Sequence, residues 1–273
     1  MEQQRGSFSS QLGFMFAIAG SAIGLGNLWR FPYLADSYGG GAFLIIYFIF
    51  MVLFGMVLMI TEVAIGRRTG KSIIEAFRDL TEKYAIIGKI AAVIPFLILP
   101  FYCVIGGWVL KYLFESAAGN IGQMGGGTYF DTFLSTGPEN FFASPLPWFL
   151  LFFGVTFLLP ALGVRKGIEK VSKIMMPALL ILIVALVLHM LVFENAGGEM
   201  LDFLSPEFEN VSAKTIVYAA GQVFFSLSLA MGITITYGSY MPKDTDIRAS
   251  TFQVTAASLT VSVLAGLMII PAV

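Results

Sequence analysis

Two stretches of the chain place ion-binding groups inside otherwise apolar sequence. The first reads Ala19-Gly20-Ser21-Ala22-Ile23-Gly24-Leu25-Gly26-Asn27, followed by Arg30 and Pro32. Glycine costs ~1 kcal/mol relative to alanine inside a helix, so three in seven positions favour an interruption. Gly20 and Gly24 also form a GxxxG pair, which suits close helix packing instead. Asn27 and Arg30 weigh towards a cavity, because polar groups at membrane depth are expensive and usually line one. The second stretch runs from Gln222 through Phe225, Ser226, Ser228, Ala230 and Met231 to Gly232. Its serines could bond back to their own helix carbonyls, or offer hydroxyls beside a flexible backbone. At a helix break, released carbonyls can coordinate a hard cation. Free N–H groups at the start of the next half-helix can hold a carboxylate.

The elements that must position these groups are membrane spans. The 273 residues are 57% apolar and 12% charged, against roughly 45–50% and about 25% in soluble domains. A bilayer crossing needs about 20 apolar residues. Seven stretches qualify: Leu12–Leu34, Ala42–Ile65, Ile86–Phe114, Leu146–Val164, Val171–Phe193, Thr215–Tyr240 and Ser250–Val273. The first is too long for a cleavable signal core, and six more spans follow it. No linker divides the chain, so the sequence predicts a single membrane domain over 1–273.

Charge sets the expected orientation. With alternating spans, thirteen of the sixteen basic residues share one face. They are Arg5, then Arg67, Arg68, Lys71, Arg78, Lys83 and Lys89, then Arg165, Lys166, Lys170 and Lys173, then Lys243 and Arg248. Positive loops stay in the cytoplasm, which predicts a multi-pass protein of the cell membrane with its N-terminus inside. The net charge of −1 gives no support to nucleic-acid binding. Cys103 and His189, one of each, cannot pair as a disulfide or build an ordinary zinc site. They lie on different spans without a catalytic motif, and Glu62 is the one clear mid-membrane carboxylate, so a membrane enzyme is not expected. Interruptions in spans one and six suggest two inverted five-span repeats, 1–193 and the start of a second over 214–273. Transporters so built bind substrate and ions at the breaks, near the midplane.

The residues Gly20-Ser21-Ala22-Ile23-Gly24-Leu25-Gly26-Asn27-Leu28-Trp29-Arg30-Phe31-Pro32, then Gly39-Gly40-Gly41-Ala42-Phe43, resemble the first-span signature of the neurotransmitter:sodium symporters. Span six and the loop Lys243-Asp244-Thr245-Asp246-Ile247 are similar too. The rule linking broken helices to midplane sites is itself drawn in part from this family. The resemblance implies an all-α inverted-repeat transporter fold with helices one and six broken, the second repeat incomplete in this chain. It implies sodium-coupled uptake of a neutral amino acid by alternating access.

By position, the resemblance assigns carbonyls of Gly20 and Ile23 to half of one sodium site, the other half lying in an eighth span. Ala22, Asn27, Ser226 and Ser258 would surround a second sodium, although the family usually has Asn at Ser258. Leu25 and Gly26 amides and the Tyr102 hydroxyl would bind the substrate carboxylate. Ser21, Ala22, Ile98, Phe225, Ser226, Ser228 and Met231 would complete the pocket. Gly24 replaces the Asp of members that carry biogenic amines, favouring a substrate with its own carboxylate. Arg30 and Phe225 would close an outer gate, and Arg5 and Tyr240 would belong to an inner one. Gly167 and Pro177 match a Gly-x9-Pro feature thought to let span five unwind. They read equally well as a loop glycine and a tolerated proline. Chloride-independent bacterial members often carry a carboxylate at the position of Ser262. Here Tyr47, Gln222, Ser226, Ser258 and Ser262 are neutral, which implies a chloride site. The chain ends at Pro271-Ala272-Val273 within apolar sequence, and the expectation is a truncated or incomplete reading frame, the alternative function being a non-transporting fragment or a receptor-like membrane protein of the same fold.

Overall fold

The computed structural model describes residues 8–124 and 127–272. The described residues contain thirteen α-helices: α1 (Gln11–Ala22), α2 (Phe31–Ser37), α3 (Gly41–Phe50), α4 (Met56–Thr69), α5 (Ile73–Leu80), α6 (Ala85–Ala117), α7 (Gly127–Ser135), α8 (Pro145–Ala161), α9 (Lys170–Phe193), α10 (Gly197–Leu204), α11 (Ala213–Ser226), α12 (Ile233–Ser239) and α13 (Ile247–Ile269). No strand occurs among them beyond an isolated bridge between Gly40 and Pro206.

Four continuous helical stretches are long and apolar enough to cross a bilayer: Gly41–Thr69, Glu82–Ala117, Val164–Phe193 and Ile247–Ala272. A fifth crossing is the pair Gln11–Ala22 and Gly26–Ser37, bent by 47° at its break. Pro145–Ala161 is apolar but only 17 residues long, about 26 Å at the helical rise, just short of a typical hydrocarbon core. Span six is split into α11 and α12 on either side of residues 227–232. Each of the seven predicted stretches is thus mostly helical among the described residues, with breaks in the first and sixth, and the chain is a multi-pass membrane protein by the length and apolarity of its helices.

The boundaries differ for local reasons. Span six starts at Ala213, two residues early, because Ser212 and Thr215 form a reciprocal capping box ahead of the apolar run. Span seven starts at Ile247, because Asp246 Oδ1 accepts the Arg248 and Ala249 amides at 2.8 and 3.2 Å. Val164, expected to end span four, opens span five. Gly163, at φ 84°, turns the chain there, and Val164–Glu169 forms a π-helical turn continuous with α9. Charged Arg165, Lys166 and Glu169 are therefore helical, where hydropathy alone marks them as loop.

The chain divides into two compact units, one from Met1–Ala92 with Val164–Val273 and one from Val93–Gly163. In the first, α13 packs against α1, α4 and α9, over a core that includes fully buried Phe31, Phe43, Tyr47, Met51, Leu227 and Val261. Helices α4 and α12 meet backbone to backbone. A Cβ on Gly66 would sit 1.9 Å from the Ile235 carbonyl oxygen, and one on Gly238 2.5 Å from that of Val63. Small residues at such crossings are how membrane helices approach closely. In the second unit, α6 packs on α8, where a Cβ on Gly107 would meet the Phe149 nitrogen at 2.7 Å. Lys111 there pairs with Glu115 at 2.5 Å and lies over the Trp148 ring at 5.4 Å.

Candidate functional site

The break in span one begins at Ile23, whose backbone is extended (φ −103°, ψ 104°). Its N–H closes the last α-helical bond, on the Ala19 carbonyl at 2.7 Å. The next amide, Gly24 N–H, turns away to Asn27 Oδ1 at 3.4 Å, so the Gly20 carbonyl drops off the helical ladder. The chain re-enters helix at Leu25, and the Asn27 and Leu28 amides both close on the Gly24 carbonyl, at 3.0 and 3.1 Å. Leu25 and Gly26 occupy the new first turn, where N–H groups have no partner within the helix. Gly26–Arg30 is π-helical, a form common at functional sites.

The break in span six is held in left-handed backbone. Ser228 (φ 53°), Ala230 (φ 60°) and Gly232 (φ 73°) all adopt it within five residues. For Ser and Ala this conformation costs roughly 1–3 kcal/mol each and persists only where surrounding groups fix it. Glu62, on α4, is one of those groups. Its Oε1 accepts the Ala230 N–H at 2.8 Å, and its Oε2 accepts the Thr234 hydroxyl. A carboxylate from span two thus bridges the break and the first turn of the second half of span six.

The two breaks are bonded to each other. Ser228 Oγ donates to the Ser21 carbonyl at 3.0 Å. Gln222 Nε2 donates to the Gly26 carbonyl at 2.8 Å and to Ser226 Oγ at 3.0 Å. Gln222 Oε1 in turn accepts from Arg30 Nη1 at 2.6 Å, and the Arg30 guanidinium lies 5.3 Å from the centre of the Phe225 ring. The ring fits only because position 26 is glycine: a Cβ there would meet Phe225 at 2.7 Å.

Span seven closes the site with hydroxyls. Asn27 Nδ2 lies 3.0 Å from Ser258 Oγ, 3.1 Å from the Ser258 carbonyl and 2.9 Å from Ser262 Oγ, so its two N–H groups are shared among three acceptors. Tyr47 Oη stands 3.5 Å from Ser262 Oγ. Asn27, Tyr47, Gln222, Ser226, Ser258 and Ser262 are all at most 1% exposed. They form a buried cluster that is polar and formally neutral.

The sequence model of the Sodium:neurotransmitter symporter family matches residues 5–128 and 143–273. The chain is a member of that family. It is 39% identical, over its full length, to 60% of an uncharacterized sodium-dependent transporter of Bacillus subtilis (strain 168). It is 28% identical over 98% of its length to the sodium- and chloride-dependent transporter XTRP3 of Rattus norvegicus, of which it covers 48%. The crystal structure of MhsT in complex with L-phenylalanine superposes with a TM-score of 0.88 at 38% identity, over 98% of this chain and 61% of that one. This likeness gives the chain the inverted-repeat transporter fold with helices one and six broken. The chain spans about three-fifths of the length of the Bacillus subtilis relative and of MhsT.

For a symporter of this family, the expected site residues fall as follows. Gly20, Ser21, Ala22, Ile23, Leu25, Gly26 and Asn27 lie at the first break, and Phe225, Ser226, Ser228 and Met231 lie at or next to the second. Arg30, Tyr47, Gln222, Ser258 and Ser262 join them through the bonds above. Ile98 and Tyr102 lie on α6 within the second unit, so their part in the pocket rests on the resemblance. Tyr240 contributes its carbonyl, which accepts the Phe8 N–H at 3.1 Å, while Arg5 lies outside the described residues. Gly167 is buried within the π-helical turn of span five, and Pro177 lies inside α9. Sequence reasoning missed the role of Glu62. Its signal was present, since a carboxylate amid apolar sequence must find donors, but the partners lie 168 and 172 positions away.

Replacing Glu62 by Leu removes the acceptor of the exposed Ala230 N–H and strands the buried Thr234 hydroxyl, a loss of roughly 1–3 kcal/mol for a buried unpaired group. Glu62→Gln keeps one acceptor. The expected order of thermal stability in detergent is wild type, then Glu62→Gln, then Glu62→Leu. A Glu62→Leu protein as stable as wild type would show that the carboxylate does not hold the break.

Proposed function

We propose that the protein couples sodium entry to uptake of a neutral amino acid, aliphatic or aromatic, across the cell membrane by alternating access, with the N-terminus in the cytoplasm. The observation that carries this reading is the meeting of two broken helices through Ser228–Ser21 and Gln222–Gly26. Unwound backbone survives in hydrocarbon only where protein, cavity or ligand satisfies it. Carbonyls released at Gly20 and Ile23 suit a hard cation whose water ligands they replace, and Ala22, Asn27, Ser226 and Ser258 suit a second sodium ion. First-turn amides of Leu25 and Gly26, at the positive end of a half-helix, suit a carboxylate, with the Tyr102 hydroxyl as a further donor.

Substrate class follows from what the pocket lacks. Gly24 supplies no carboxylate for an amine, so the substrate brings its own. Ser21, Ile98, Phe225, Ser228 and Met231 would surround its side chain without a formal charge, and methionine repacks around different shapes. The bound L-phenylalanine of MhsT supports an aromatic or aliphatic substrate. Arg30 with Phe225 would gate the outside, and Arg5 with Tyr240 the inside. The repeats would run over 1–193 and from 214 onward. Basic loops on one face support a cytoplasmic N-terminus.

Chloride completes the charge balance. Two sodium ions and a zwitterion leave excess positive charge in a low-dielectric site. The cluster of Tyr47, Gln222, Ser226, Ser258 and Ser262 offers neutral donors and no acid, and the rat relative is named as chloride-dependent.

A scintillation-proximity screen of the full-length protein in sodium and in potassium tests the function. Binding of leucine, tyrosine, phenylalanine or tryptophan in sodium alone is expected. Equal binding in both salts, or tighter binding of glutamate or lysine, contradicts the reading.

Chloride dependence is tested by replacing chloride with gluconate during uptake. Wild-type uptake is expected to fall and Ser262→Glu to restore it, because the new carboxylate supplies the missing negative charge. Unchanged wild-type uptake in gluconate would remove the chloride site.

A further inference from the structure

We propose that the second unit carries a phospholipid site, a cleft between α6 and α8 in which Trp108 donates its indole N–H to an acyl ester carbonyl. The inference draws on the membrane character of the chain and not on what it transports.

A cleft of about 390 Å³ opens where α6 meets the first turn of α8, within the size range of ligand sites. Val104 and Trp108 line it from α6, Leu146 and Phe149 from α8, and Thr136 and Pro138 from the segment after α7. All of these residues belong to the second unit. Among the described residues, the Trp108 Nε1 is buried and has no hydrogen-bond partner. A buried indole N–H ordinarily finds one. Trp148, on α8, shows the ordinary case, donating to the Phe142 carbonyl at 3.2 Å. Phe130 stands across the Trp108 indole at 82° and 5.1 Å between centroids, which holds the plane of the ring. Two hydroxyls beside the cleft have committed their protons to backbone. Thr136 donates to the Thr132 carbonyl at 2.7 Å, and Ser144 to that of Phe141 at 2.9 Å. The cleft therefore offers one donor in an apolar wall.

Depth and chemistry together name the occupant. The helical stretch Glu82–Ala117 runs 36 residues, ~54 Å at the helical rise, so it outreaches a hydrocarbon core of about 30 Å. Lys111 and Glu115, paired at 2.5 Å, begin three residues beyond Trp108. Ionic groups avoid the apolar layer, so Trp108 lies about one turn inside its boundary, the level at which indoles meet lipid headgroups. Phe141, Phe142, Leu150 and Leu151 are exposed beside the cleft and offer apolar surface to acyl chains. No charged side chain lines the cleft. A zwitterionic amino acid there would leave both its charges unpaired, which an apolar site penalises heavily. A phospholipid ester is neutral, accepts without donating, and continues into chains that suit Val104, Leu146 and Phe149.

The test is native mass spectrometry of the full-length protein titrated with dioleoyl phosphatidylethanolamine and with its diether analogue, which lacks the ester carbonyls. Wild type is expected to bind one diester molecule about five-fold more tightly than the diether, the size of one net hydrogen bond. Trp108→Phe keeps an aromatic ring and removes the donor, so it should bind both lipids alike, at the wild-type diether level. Leu146→Trp fills the cleft from a side chain position that is 42% exposed, and should weaken both lipids and abolish the ester preference. Equal affinity of diester and diether in wild type overturns the proposal. An ester preference retained in Trp108→Phe or in Leu146→Trp overturns it as well, because the preference then arises elsewhere on the protein.

Discussion

A backbone N–H or carbonyl without a partner in hydrocarbon costs several kcal/mol, and this chain breaks two of its spans. The polar contacts around the two breaks meet that demand. Glu62 takes the Ala230 amide and the Thr234 hydroxyl, Asn27 takes the Gly24 amide, Gln222 feeds the Gly26 carbonyl, and Ser228 feeds that of Ser21. Each break is satisfied partly by the other span and partly by spans two and seven. The close crossing of α4 and α12 at Gly66 and Gly238 brings spans two and six together, so that Glu62 can reach across.

The satisfaction is partial by design of the backbone, not by accident of sequence. The carbonyl of Gly20 and the first-turn amides of Leu25 and Gly26 are released from helical pairing, where a cation and a carboxylate would replace the missing partners. Left-handed Ser228 and Ala230 store strain at the same place. The neutrality of the buried cluster around Ser262 then sets the charge that bound ions must balance. The proposed ion coupling, substrate class and anion dependence all rest on this one arrangement of groups.

Much of this was legible in the sequence, and the exceptions have physical causes. Glycine spacing in span one and the Gln222–Gly232 stretch located both breaks, because helix propensity is a local property. Apolar runs located the four long spans, the bent first span, and the shorter helices expected as spans four and six. Hydropathy failed at the start of span five, where Arg165, Lys166 and Glu169 are helical and Glu169 is buried with a bond to Ser9, 160 positions away. Caps at Ser212 and Asp246 lengthened spans six and seven beyond their apolar limits. Glu62 was visible as an anomaly but not as a bridge, since its donors arrive from the far side of the chain. Tertiary pairing of polar groups carries no periodicity, and so leaves no trace in a pattern.

The central claim is that the paired breaks form a sodium site, and ligand linkage tests it directly. A cation that binds the folded state alone stabilises it by mass action. The melting temperature of the purified full-length protein should therefore climb steadily with sodium gluconate and stay flat in potassium gluconate at equal ionic strength. The sodium response should be lost in Asn27→Leu, which removes the side-chain amide at the break and lowers the starting melting temperature as well. Equal melting temperatures in the two salts, or an undiminished sodium response in Asn27→Leu, would contradict the account.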